Sequence, residues 1–179
     1  SVRKEVEKEF IHSEFEVDHI HDVPLLENWR ELPNLEAQPP DVVCYFIRPK
    51  PAAVKKFLAD GNLKESDFSD KKAMWDEMVF QNTHKLNVEY YAKEQRADAF
   101  VLSHGQNMII LKIVGYAEDV IRYYRLDDVT AHVWIGHHRY HTRGRVTPPG
   151  GAHPFGQGID VALVHNGDFS NYESVKDYL

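Results

Sequence analysis

The stretch VWIGHHRYHTRGRV, residues 133–146, sets three histidines and three arginines around Tyr140. No aspartate or glutamate falls between Asp128 and Asp160, while Arg139, Arg143, Arg145 and the five histidines 132, 137, 138, 141 and 153 lie inside that window. A locally cationic segment in a chain of net charge -7 admits four chemistries. His137 and His141 would share a helix face and offer two metal ligands, but the interleaved arginines repel a divalent ion and no cysteine or carboxylate completes the set. Aromatics among basic residues suit nucleic acid, although three arginines in one loop work against a negative chain. A solvated basic loop with structural histidines needs no ligand at all. The fourth reading is a pocket for a small carboxylate, because one guanidinium, such as that of Arg139, forms two parallel hydrogen bonds to it. Some twenty residues further on, VHNGD (164–168) adds a complementary element. An Asn amide followed by a Gly whose bare backbone N–H can approach closely, here Asn166 and Gly167, can hold a developing oxyanion.

These groups need elements to aim them. Residues 2–11 space Val2, Val6 and Phe10 as an amphipathic helix, and residues 12–40 have poor periodicity and read as a surface excursion, so 1–40 is expected to be peripheral. VVCYFI (42–47) reads as a buried strand, followed by a helix from Pro51 to a stop at Gly61. A longer helix is expected over about 70–95, with Met74, Met78, Leu86 and Tyr90 facing inward as core. AFVLS and NMIILKI flank HGQ as a hairpin in which Gly105 supplies a positive φ. YAEDVIRYYRL is a short helix, AHVWIGHHRY and IDVALVHNG are strands, and SNYE (170–173) is a capping box that starts a last helix near Asn171. That helix still runs at Leu179, so the chain is expected to be one domain, 1–179, cut from a longer polypeptide.

Composition narrows the classes. With 42% hydrophobic and 27% charged residues the chain is an ordinary globular one. Its negative charge speaks against general affinity for nucleic acid or anionic membranes. Cys44 is the single cysteine, which excludes an internal disulfide and any multi-cysteine zinc or iron–sulfur site carried by this chain alone. SVRKEVEKEF lacks the apolar core of a signal peptide, and no run approaches the roughly 20 apolar residues of a membrane span. A cytoplasmic protein is the expectation.

Taken together and in order, GHHRYHTRGR, GGAHPF and ALVHNGDFSNYESVKDYL resemble the class II glutamine amidotransferases, a branch of the N-terminal-nucleophile hydrolases. That family runs Gly-His-x-Arg-aromatic-x-Thr, then Ala-His-Pro, then His-Asn-Gly-(Glu/Asp)-x-x-x-Tyr. The upstream AFVLSHGQNMIILKIVGYAEDVIRYYRLDD looks like the amidotransferase domain of archaeal-type glutamate synthases, and CYFIRPKP like a strand of the same subfamily. The likeness is strong from about 97 to 179 and thin from 41 to 60.

The resemblance implies an α+β fold, part of a four-layer α/β/β/α sandwich of antiparallel sheets. It implies that Arg139 binds the α-carboxylate of glutamine, with Tyr140, Thr142 and His153 shaping the pocket, and that Asn166 and Gly167 form the oxyanion hole. The implied activity is glutamine hydrolysis to glutamate and ammonia for a glutamate-synthase-like partner, with FMN and an iron–sulfur cluster, where present, on that partner and no cofactor or metal here. A non-catalytic module that binds an amino acid or serves in assembly is the alternative. His138, His141 and Arg143 depart from the family pattern, which motivates it. The family's nucleophile is a cysteine whose own free α-amino group acts as base. It would lie upstream of residue 1, or be Cys44 after loss of the 43 residues before it, while Ser1 leads into a charged helix rather than a buried strand.

Overall fold

Asp70 opens the longest helix by accepting the Ala73 N–H at 2.8 Å, a side-chain cap on an otherwise unpaired donor. The computed structural model describes residues 1–35, 38–92, 98–138, 153–156, 158–167 and 171–178. Within them the architecture is α+β, with helices around two small antiparallel ladders. In chain order the elements are α1 (Val2–Val6), β1 (Phe15–Asp22), β2 (Val43–Pro49), α2 (Pro51–Asp60), α3 (Lys71–Asn87), α4 (Ala117–Tyr123), β3 (Phe155–Gly156), β4 (Ala162–Leu163) and α5 (Tyr172–Tyr178). A π-helical turn extends α1 over Glu7–Ile11 and another extends α3 over Val88–Ala92, so the two helices expected over 2–11 and 70–95 are present.

Met74, Met78, Leu86 and Tyr90 are all buried, as their helical spacing predicts. Phe10 meets Tyr90 edge-on at 5.8 Å, and the Asn82 amide donates to the Phe10 carbonyl at 2.9 Å, which fastens the N-terminal helix to α3. Pro51 starts α2 where its missing N–H costs nothing. The helix stops near Gly61, but the left-handed residue is Asn62 (φ 50°), and the Leu63 N–H then closes on the Leu58 carbonyl at 2.8 Å.

Residues 12–40 are not the loose excursion expected. They hold the eight-residue β1, paired antiparallel with β2, and the buried Val23, Leu32 and Leu35. The register slips between Val17 and His19, and this bulge carries Phe15, Val17 and Ile20 onto one face although their spacing breaks a two-residue period. Strand β2 forms over the expected residues, yet it is half-covered rather than buried, with Phe46 52% exposed against His19 across the ladder.

The densest core joins Val23, Leu32 and Leu35 to Tyr123 and Tyr124, with Cys44, Leu111 and Ile113 packed around it. Tyr124 is fully buried, and its hydroxyl lies 3.0 Å from the Pro40 carbonyl and 3.3 Å from that of Lys112. At the start of α4, the carboxylate of Asp119, 1% exposed, accepts the Tyr116 N–H at 2.9 Å.

The hairpin expected around HGQ is absent among the described residues: 98–103 and 107–113 form no ladder. Asp160 takes hold of the turn instead, its carboxylate accepting Gln106 N–H at 2.7 Å and Asn107 N–H at 3.0 Å while its own N–H reaches the His104 carbonyl at 3.0 Å. Gly105 lies outside the left-handed region. Glycine is needed because a Cβ there would run into the Asp160 carboxylate and lie 2.8 Å from its backbone nitrogen. Nor does the AHVWI stretch form a strand: no ladder partner lies beside it among the described residues, and Val133 and Trp134 are 75% and 59% exposed. Of the second expected strand, Ala162–Leu163 pairs, with Phe155–Gly156.

The Asp160 contact makes a quantitative expectation. Asp160→Ala and Gly105→Ala should each lower stability by about 2 kcal/mol, the scale of hydrogen bonds to a charged acceptor. The double variant should cost little more than either alone. Urea unfolding of the four proteins checks it, and simple additivity would mean that the two residues do not act through one contact.

Candidate functional site

The ladder β3–β4 pairs Phe155 with Leu163 and Gly156 with Ala162. Antiparallel register means that His153, two residues before Phe155, and Asn166–Gly167, shortly after Leu163, leave the ladder at the same end. His153 follows the chain into a cis peptide bond with Pro154, and its ring lies 4.4 Å from that of Phe155. His153 also lies beside His137, with ring centroids 4.6 Å apart. His137 and His153 are thus in contact at the end of the ladder from which Asn166–Gly167 also leaves.

Several details shape that end. Asn166 and Gly167 are exposed, and a Cβ at Gly167 would lie 3.2 Å from Cε1 of His165, so the glycine lets the preceding imidazole fold back over it. His138, next to His137, stacks on Tyr116 at 5.7 Å. Of the residues the sequence singles out, the structure brings His153, Asn166 and Gly167 to this end. Arg139, Tyr140 and Thr142 lie outside the described residues, as does Ser170 of the capping box. His137 is the addition: its residue type is visible in the sequence but its contact with His153 is not, since no local pattern ties residues sixteen apart.

Chemically, such an end can present backbone and amide donors at Asn166 and Gly167 to a negative oxygen, with imidazoles close by. Among the described residues no group of three or more His, Cys, Asp or Glu side chains comes together as a metal site.

Cys44 sits elsewhere. It is the second residue of β2, opposite His21, half-buried against the Tyr123–Tyr124 core, and burial pushes its thiol above the ordinary cysteine range. Among the described residues burial is the influence on this thiol, which fits a packing role. Among the described residues no helix is long and apolar enough to cross a membrane.

No family model matches the chain, and no solved structure does. An uncharacterized protein of Archaeoglobus fulgidus is 32% identical over 177 residues, 96% of this chain and 38% of that protein. The glutamine amidotransferase-like protein GlxB of Rhizobium meliloti is 37% identical over 81 residues, 45% of this chain and 27% of that protein. A glutamine–fructose-6-phosphate aminotransferase (isomerizing) of Fusobacterium nucleatum is 34% identical over 113 residues, 63% of this chain and 18% of the enzyme. The chain therefore spans well under half the length of the curated relatives it matches, and stretches of it are related to glutamine amidotransferases.

Because burial raises the Cys44 thiol, its thiolate fraction near neutrality falls below that of a free cysteine. Alkylation by iodoacetamide at pH 7.5 should be roughly tenfold or more slower than for a free cysteine. The rate should climb as the pH passes the usual thiol range, since only the deprotonated form reacts. Fast labelling at neutral pH, followed by mass spectrometry of the Cys44 peptide, would contradict the packing role.

Proposed function

We propose that this chain carries the substrate-holding half of a glutaminase domain in a class II glutamine amidotransferase, hydrolysing glutamine to glutamate and ammonia. The observation that carries the reading is the meeting of His137, His153 and the Asn166–Gly167 exit at one end of the β3–β4 ladder. The partial likeness to glutamine amidotransferase sequences supports it. In this reading the chain is one incomplete domain, 1–179, of a four-layer α/β/β/α fold, and the protein is cytoplasmic.

Each residue then has a task. Arg139 pairs with the α-carboxylate of glutamine by two parallel hydrogen bonds, and Tyr140, Thr142 and His153 define the walls around it. A cysteine thiolate supplied outside this chain's described core attacks the side-chain amide carbon. The carbonyl electrons move onto oxygen, where the Asn166 amide and the Gly167 N–H stabilise the charge. The C–N bond breaks with protonation of the leaving nitrogen, ammonia departs, and water hydrolyses the thioester to glutamate. The ammonia is passed to a glutamate-synthase-like partner. One cysteine cannot by itself ligate an iron–sulfur cluster, so in this reading a cluster, where there is one, sits on that partner together with any FMN.

A second reading is a module that binds an amino acid without turning it over. The half-buried, strand-bound Cys44 favours it, as do His138, His141 and Arg143 where the family carries other residues. The two readings share binding and differ in chemistry.

Full-length protein incubated with glutamine separates them. The amidotransferase reading expects glutamate release and covalent labelling by 6-diazo-5-oxo-norleucine on an N-terminal cysteine. Saturable glutamine binding by calorimetry with neither turnover nor label would establish the second reading instead. Within the first, Asn166→Ala should lower turnover by roughly 10² to 10³ with binding nearly intact. Arg139→Ala should weaken glutamine binding first, and the reverse pattern would overturn the assigned roles.

A further inference from the structure

Both sides of the β3–β4 ladder touch residues 102–107. On β3, a Cβ at Gly156 would lie 3.0 Å from the Leu102 carbonyl oxygen and 3.6 Å from the Ser103 Cα, so the two backbones run close together. On the β4 side the link is Asp160, two residues before Ala162 and six before Asn166. Its carboxylate accepts the Gln106 and Asn107 N–H groups, and its own N–H reaches the His104 carbonyl. Asp160 makes these bonds from the left-handed region, at φ 56°, which aspartate tolerates better than most side chains. Such a conformation persists only where its surroundings hold it, and the three hydrogen bonds do so.

The turn that Asp160 grips is itself fixed to the longest helix. The Asn87 side chain of α3 accepts the Val101 N–H at 2.8 Å, and Phe80 of α3 packs edge-on against His104 at 5.9 Å. The Ile110 N–H lies 3.3 Å from the Ser103 hydroxyl, which ties the same stretch to a buried isoleucine. Beyond Asp160 the strand has little hold of its own: β4 is two residues long, and Leu163, His165, Asn166 and Gly167 are exposed. The reference for Asn166 and Gly167 therefore runs from α3 through residues 101–107 to Asp160, and not through the ladder alone.

We propose that Asp160 is a positioning residue for this site: by clasping the 104–107 turn it sets where the Asn166 amide and the Gly167 N–H stand, and so how well they meet a developing negative oxygen. The consequence for turnover rests on the glutaminase reading, whereas the placement does not. In that reading Asp160 touches no reacting atom and acts only through the two donors. Its loss then lowers turnover and leaves glutamine binding, the task of Arg139, nearly unchanged. A displacement of about 1 Å suffices for a loss of about 10²-fold.

Two substitutions separate the clasp from the backbone conformation. Asp160→Asn keeps an acceptor oxygen and a residue that tolerates the left-handed region, while Asp160→Gly keeps the conformation and removes the acceptor. In the full-length protein Asp160→Gly should lower kcat for glutamine roughly 10- to 100-fold with KM changed by less than about twofold, and Asp160→Asn should stay within about fivefold of wild type. Added to Asn166→Ala, Asp160→Gly should cost much less than it does alone, because one of the donors it places is already gone. In proton–nitrogen correlation spectra Asp160→Gly should move the Asn166 and Gly167 amide resonances and leave those of α2 in place, with or without turnover. Gly105→Ala, which crowds the same carboxylate from the turn side, should move the same two amides and serves if Asp160→Gly does not fold. An unmoved Gly167 amide in the folded variants would overturn the proposal. So would a kcat loss in Asp160→Asn as large as in Asp160→Gly, or full multiplication of the Asp160→Gly and Asn166→Ala losses. Moved amides in a protein whose wild type does not turn over glutamine would uphold the placement and count against the glutaminase reading alone.

Discussion

The hydroxyl of Tyr124, shared between the carbonyls of Pro40 and Lys112, is the contact on which the arrangement of this molecule turns. The side chain is wholly buried, so its O–H must find an acceptor inside the protein or forfeit the hydrogen bond it would make to water. Two distant stretches of backbone supply that acceptor. One leads into β2, and through its register with β1 fixes the N-terminal ladder. The other carries Lys112, whose side chain lines a cavity beside α3 together with His84 and His104. Tyr123 beside it reaches the Pro39 carbonyl at 3.3 Å, so α4 grips the same segment with both rings. Burial pushes both phenols upward, which keeps them protonated and able to donate.

From that anchor the polar chemistry divides into two regions with different supports. The cavity is backed by α3, a helix whose buried methionines and leucine hold it firmly against its neighbours. The end where His137, His153 and Asn166–Gly167 meet rests on a ladder of two residues per strand. Short ladders contribute few backbone hydrogen bonds, and the apolar residues leading into this end, Val133, Trp134 and Ile135, remain open to solvent. Position at this end is therefore set more by ring contacts, His137 on His153 and His153 on Phe155, and by the Asp160 clasp than by a sheet.

How far the sequence foretold this depends on whether local rules met competition. Over α3 nothing competes: Asp70 caps, the methionines recur at helical spacing, and the helix appears where expected. In β1 the bulge shifts the apolar face by one residue, so a strand presents itself as noise to any two-residue count. Two apolar runs, 99–103 and 107–113, flank the glycine-containing HGQ as in a hairpin, but an aspartate 54 residues away from Gln106 captures the turn, and no local pattern encodes that. For the candidate site, residue types were legible and placement was not: His153, Asn166 and Gly167 could be named from motif chemistry, whereas the His137 contact depends on two loops arriving together. Lys112 is a lone lysine in the apolar run NMIILKI, two residues after Ile110, and both are buried while Leu111 between them is only partly so.

The cationic window around Arg139 contains no acid, so no carboxylate adjacent in sequence competes for its guanidinium. Activating a nucleophile is a different task, because a thiol or hydroxyl needs a base to take its proton; arginine never serves as one, and within the window only the histidines have the chemistry for it. Cys44 does not fill the gap: its nitrogen is a peptide nitrogen within a paired strand, and its sulfur faces a core that resists charge. The features at this end of β3–β4 are thus those of binding and charge stabilisation. Under the proposed glutaminase reading, the thiolate and base would have to reach Asn166 and Gly167 from elsewhere, and both residues are exposed.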